Sequence, residues 1–132
     1  MSEPVPNDLR KGNNQAGWQL FFPGRDPAIV EFSQLGKWLT EAGVDTLLLE
    51  TMNSLDETEI AISCIENFGL PIWVSFVLKD DHHLLSGDSI IKVIERMKDY
   101  SINCILLNCN PLDRTLKTVE NIVNYWPHKW GV

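Results

Sequence analysis

The chain has 132 residues, 44% hydrophobic and 22% charged, with a formal net charge of −7. This is the composition of a soluble domain, or of part of one. The acidic balance excludes the basic face that nucleic acid or an anionic membrane requires. The longest apolar runs, Leu70–Val74 and Cys104–Leu107, are strand-sized and far short of a membrane span.

The opening residues Met1–Asp8 carry neither a basic n-region nor an apolar h-region, so no signal peptide is read and a cytoplasmic location is expected. Three cysteines, Cys64, Cys104 and Cys109, make a poor disulfide framework and fit reduced thiols.

Residues 1–25 read as an irregular lead-in. Pro4, Pro6, Gly12, Gly17, Pro23 and Gly24 punctuate a polar stretch, with Trp18 to Phe22 as a short apolar anchor. From residue 26 to 132 the pattern is regular. Ala28, Phe32, Leu35, Leu39 and Ala42 recur at helical spacing, with Pro27 suited to a first turn and Gly43 to the end. Val44 to Leu49 is a nearly continuous apolar strand closing on Glu50-Thr51.

Ser54 and Glu57 form a capping box for a second helix, whose buried stripe is Ala61, Cys64, Ile65 and Phe68. Pro71 to Val77 is the next strand, followed by the polar loop Lys79–His83. Asp88 is the expected N-cap of a third helix with the apolar face Ile90, Val93, Ile94 and Met97. Ile102 to Leu107 is a third strand. A fourth helix carries Leu116, Val119, Ile122, Val123 and Trp126, and Trp130-Gly131-Val132 opens a fourth strand.

Strands alternating with helices imply an α/β fold with parallel pairing and right-handed crossovers. Continuous apolar strands fit burial on both faces. Two architectures satisfy this pattern, an open doubly wound sheet or part of a barrel. No Gly-rich phosphate fingerprint follows any strand, which weighs against nucleotide binding.

In parallel α/β folds the chemistry gathers where strands end. Glu50 is a carboxylate at such an end, either a partner for an ammonium or proton, or a solvated residue. Cys109 is either a thiolate for metal or nucleophilic work, or a small apolar plug. Cys64 and Cys104 read as packing residues. His82 and His83 beside Asp80 and Asp81 read as a solvated loop rather than a metal site, and the five tryptophans as core.

Glu41–Met52 resembles the "EAGVD…ET" segment of zinc-dependent homocysteine S-methyltransferases. Leu70–Phe76 followed by Leu85–Ser89 resembles their "P-W-SF … SGDS" stretch, and Leu107–Pro111 their "NC-x-P" motif. The resemblance implies a partial (β/α)8 TIM-type barrel covering roughly the fourth to sixth strands. It further implies zinc held by cysteine thiolates, with Cys109 as the first of them. Glu50 would hold the amino group of homocysteine, and Asn108 would belong to the same substrate-binding motif.

The activity implied is methyl transfer to zinc-activated homocysteine, giving methionine. S-methylmethionine or S-adenosylmethionine is the donor that the "SGDS" stretch suggests. The family's paired cysteines belong to an eighth strand that this sequence lacks. A complementary chain or a homo-oligomer is therefore expected to complete the site. The alternative is a non-catalytic α/β remnant acting as an oligomeric or partner-binding module.

Overall fold

A computed structural model describes residues 24–132. The lead-in, with its apolar stretch Trp18 to Phe22, lies outside the described residues up to residue 23. Arg25 already belongs to the first helix. The elements are α1 (Arg25–Glu41), β1 (Leu47–Met52), α2 (Leu55–Ile65), a 3-10 turn (Glu66–Phe68) and β2 (Ile72–Phe76). They continue with α3 (Ile90–Met97), β3 (Ile102–Leu107), α4 (Leu112–Ile122) and β4 (Lys129–Gly131).

The four strands form one parallel sheet in the order β1-β2-β3-β4. Each strand pairs with the next in sequence across a helical connection. A right-handed crossover at every step moves the chain in one direction and lays all the helices on one face. A doubly wound sheet would reverse its order at a switch point. This one does not reverse, which decides between the two architectures: the sheet is an arc of a singly wound (β/α)8 barrel.

The core lies between that helical layer and one face of the sheet. Leu47, Leu49, Val74, Phe76, Ile105 and Leu107 meet Ala61, Ile62, Ile65, Val93, Ile94, Met97, Ile122 and Trp126. The four apolar residues foreseen on α3 are all fully buried. The opposite face of the sheet carries the row Leu48, Trp73, Cys104 and Lys129 in register. Leu48 is 48% and Trp73 39% exposed, the signature of a barrel interior with no opposite wall among the described residues.

α1 and α2 run side by side in the same direction. Arg25 pairs with Asp56 near their starts (3.9 Å). Near their ends Gly36 packs so closely that a Cβ there would lie 2.8 Å from the Phe68 ring. Glycine is what permits that approach.

Several sequence expectations change: β1 spans Leu47–Met52 rather than Val44 to Leu49, so Glu50 lies within it, and Leu35 and Leu39 of the expected α1 stripe are exposed. On α4 the buried positions are Thr115, Thr118 and Ile122, while Leu116 and Val123 are exposed. The threonine hydroxyls donate to the carbonyls of Pro111 (3.2 Å) and Asp81 (3.0 Å), so the polar stripe is satisfied where it is buried. Among the described tryptophans Trp126 is buried, whereas Trp38 lies on the outer side of α1 and Trp73 on the bare sheet face.

Asp88 does not cap α3, whose N-cap is Ser89. Gly87 turns the chain at φ +96°, and the Asp88 carboxylate accepts from the Leu55 N–H at the start of α2 (2.8 Å) and from Ser86 Oγ (2.7 Å). It complements Ser54, whose Oγ accepts from the Glu57 N–H (3.2 Å). Asp88→Ala leaves a helix N–H without its partner and removes a negative charge from the positive end of α2. We expect a loss of about 0.5–2 kcal/mol in urea unfolding, with Asp88→Asn retaining most of the stability. An unchanged midpoint for Asp88→Ala would show that this long-range cap contributes nothing.

Candidate functional site at the strand C-termini

The chain leaves β1 through a bulge. Leu49 pairs with Val74 and Met52 with Phe76, so Glu50 and Thr51 together oppose Ser75. Thr51 takes φ 60°, a left-handed conformation rare for a β-branched residue. Cys109, two residues past the end of β3, takes φ 57°. Each such residue costs of order 1–3 kcal/mol and is held only where its surroundings over-determine it.

What holds both is Asn108. Its Oδ1 accepts from Ser75 Oγ (2.7 Å) and its Nδ2 donates to Thr51 Oγ1 (2.6 Å), so one side chain ties the ends of β1, β2 and β3 together. Its backbone N–H donates to the Phe76 carbonyl (3.1 Å). Nδ2 also lies 3.3 Å from Cys109 Sγ, as a donor to sulfur. On the other side Asn110 Oδ1 accepts from the Leu78 N–H (2.8 Å). Both asparagines therefore point back into β2 and its loop. The residue between them, with its reversed φ, is turned outward.

Cys109 is exposed and lines a groove of about 350 Å³ with Leu107, Asn108, Asn110, Leu112, Thr115 and Val132. Glu50 is also exposed and lines a different groove, at the free edge of β1. The structure thus brings Asn108 and Cys109 together with Thr51 and Ser75, and sets Glu50 one residue before Thr51 on the same rim.

The strand ends Glu50-Thr51 and Ser75-Phe76 stand out in the sequence, but it assigns no role to Thr51 or Ser75. Ser75 carried a legible signal, a hydroxyl inside an otherwise apolar strand that must find a partner. The bulge at Thr51 carried none.

The remaining candidates sit elsewhere. Cys104 is buried, and that burial pushes its thiol pKa up, partly offset by the Lys129 ammonium. Cys64 is half-buried on α2, 3.7 Å from the Ile29 carbonyl. His83 Nδ1 meets Asp80 Oδ1 (2.8 Å), and the exposed His82 lies beside Asn121. Asp80 organises this loop: the His82 backbone N–H and then the His83 ring hold its carboxyl below the usual range. His128 stacks edge-on against Trp126. Among the described residues no three His, Cys, Asp or Glu side chains gather as a metal site.

A family model described as homocysteine S-methyltransferase matches residues 26–132. The chain belongs to the homocysteine S-methyltransferase family. Homocysteine S-methyltransferase 2 of Zea mays is 36% identical over 76 residues, covering 55% of this chain and 22% of that protein. Homocysteine S-methyltransferase 3 of Zea mays is 34% identical over 76 residues, with the same coverage. The match therefore spans under a quarter of these relatives.

Among solved structures, the apo form of the homocysteine methyltransferase MmuM from Escherichia coli aligns with a TM-score of 0.64 at 20% identity. The alignment covers 78% of this chain and 51% of that one. The metallated form of the same enzyme gives the same score and covers 46% of its chain. At this identity the likeness is one of fold, and it agrees with the singly wound arc. No helix among the described residues of the homocysteine S-methyltransferase segment is long and apolar enough to cross a membrane.

Proposed function

We propose that this chain is the part of a homocysteine S-methyltransferase that supplies one zinc thiolate, Cys109, and the carboxylate, Glu50, that holds the amino group of homocysteine. The observation that carries this reading is the placement of Cys109. It is turned outward at the C-terminal rim of parallel strands by the strained, doubly anchored Asn108–Asn110 turn. Functional groups of such folds collect at that rim.

Zinc prefers four ligands in a tetrahedron. The described residues offer one thiol at the rim, because Cys64 lies on a helix and Cys104 lies inside β3. They fit one corner of a zinc site and not the whole of it. Further thiolates would come from strands beyond these. On this reading the chain's own residues have the following parts. Asn108 orients Cys109 and offers an N–H to its sulfur. Glu50 presents a negative charge on the same rim for an ammonium group. The methyl donor fitting this reading is a sulfonium, S-methylmethionine or S-adenosylmethionine, and the product is methionine, made in the cytoplasm.

The test is reconstitution with family-member strands that carry the remaining thiolates. The complex should hold about one zinc per site and transfer methyl to homocysteine. Cys109→Ser should lose both. Glu50→Gln should keep the zinc and raise the KM for homocysteine about tenfold or more, the cost of one charge-assisted hydrogen bond. Zinc and activity that survive Cys109→Ser would sink the proposal. A complement that restores neither would favour the non-catalytic α/β module, to which the exposed Leu48 and Trp73 lend support.

A further inference from the structure

Side chains along a strand alternate between its two faces. On β1, Leu47 and Leu49 belong to the core, which leaves Leu48 and Glu50 on the bare face, with Trp73 in register beside Leu48. Regular alternation would send Thr51 back toward the helices, and it does not go there. Thr51 Oγ1 accepts from Asn108 Nδ2 (2.6 Å), and Oδ1 of the same amide accepts from Ser75 Oγ (2.7 Å). Ser75 stands two residues after Trp73 on β2 and so shares the bare face. The bulge, in which Glu50 and Thr51 together oppose Ser75, has turned Thr51 onto the face that Glu50 occupies.

A carboxylate and a hydroxyl from consecutive residues thus stand on one face toward the C-terminal end of β1. The chain sustains φ 60° at a β-branched residue to keep them there.

The protons point the same way. A threonine hydroxyl accepts and has one proton of its own to donate. The Asn108 N–H already takes Thr51 Oγ1 as its acceptor, and no described group takes the Thr51 proton. The same N–H end of the amide faces Cys109 Sγ (3.3 Å), where a metal-bound sulfur would meet a donor rather than an oxygen. No ion pair among the described residues engages Glu50. The pair therefore offers one negative acceptor and one neutral donor, both open to a ligand.

We propose that Thr51 is a second substrate-binding group, whose hydroxyl donates to the carboxylate of an α-amino acid while Glu50 holds its ammonium. This rests on the function proposed above and deepens it. An adjacent acceptor and donor match the two charged groups carried by one α-carbon. Asn108 touches both Thr51 and Cys109, so the clasp also sets the span from the amino-acid end of the substrate to its sulfur.

The experiment is an NMR titration of the full chain with three thiols: homocysteine, mercaptopropylamine, which lacks the carboxylate, and mercaptobutyrate, which lacks the ammonium. Thr51→Val should weaken homocysteine and mercaptobutyrate by about tenfold or more, the contribution of one hydrogen bond to a charged group, and leave mercaptopropylamine unchanged. That unchanged ligand shows that the variant has folded. Thr51→Ser keeps the hydroxyl and should keep all three affinities. A Thr51→Val chain that binds homocysteine as the wild type does overturns the proposal. So does a loss equal for all three thiols, which would mark Thr51 as part of the clasp alone. Glu50→Gln that leaves mercaptopropylamine unchanged sinks the Glu50 assignment and leaves this one standing. A wild-type chain that takes none of the three sinks both.

Discussion

Asn108→Ala should lower stability by about 2–4 kcal/mol, because it unties three strand ends at once and strands two hydroxyls. Ser75 is 3% exposed, and its Oγ donates to Asn108 Oδ1 alone among the described side chains. Thr51 loses the 2.6 Å bond that steadies its left-handed backbone. A buried hydroxyl deprived of its partner costs more than a typical hydrogen bond contributes, since its lost hydration is not recovered.

For a unit of this size each kcal/mol moves the melting temperature by about 4–8 °C, so a thermal melt reads the effect easily. Asn108→Asp separates the two halves of the clasp. It keeps an oxygen acceptor for Ser75 and replaces the N–H that faces Cys109 Sγ with a carboxylate oxygen. We expect it to lose less stability than Asn108→Ala, yet to slow alkylation of Cys109 at neutral pH by placing negative charge beside the sulfur. An Asn108→Ala protein that melts with the wild type would show that the clasp is incidental.

Phe76→Ala should be more damaging still, at about 3–5 kcal/mol. Phe76 is fully buried, ends β2, and pairs in register with Met52 and Leu107 on either side. Its removal opens a cavity where the helical layer meets the rim, and its backbone carbonyl is the acceptor for the Asn108 N–H. Small domains have only about 5–15 kcal/mol of net stability, and a sheet covered on one face has less apolar burial to draw on.

The paired control is Leu48→Thr, on the same sheet but on the bare face. It should change stability by no more than about 0.5 kcal/mol in urea unfolding. If Leu48→Thr destabilises the protein as Phe76→Ala does, the bare face is covered in solution.

Much of this was legible in the residues. β3 spans Ile102–Leu107 as its apolar run foretold, and the stripe Ile90, Val93, Ile94 and Met97 is the buried face of α3. Ser54 caps α2 as its spacing to Glu57 required. These features are local, because period and capping chemistry act within a few residues and need no partner from afar. Where the sequence misled, a distant partner was the cause. Asp88 turned to a helix 33 residues back. Thr118 took a buried place on α4, where Leu116 and Val123 are exposed, with the Asp81 carbonyl 37 residues back accepting from its hydroxyl.

The sequence by itself determined the alternation of helix and strand, the strand-end positions of Asn108 and Cys109, and through its ordered motifs the family. Periodicity left a doubly wound sheet or a barrel open, the family resemblance implied the barrel, and the strand order without reversal bears that out. Tertiary structure alone decided the bulge at Thr51, the clasp of Asn108 on Thr51 and Ser75, and the outward turn of Cys109. The reason is physical. Propensity and periodicity are short-range. Register, bulges and side-chain bridges between strands depend on which segments become neighbours once the hydrophobic layer has formed.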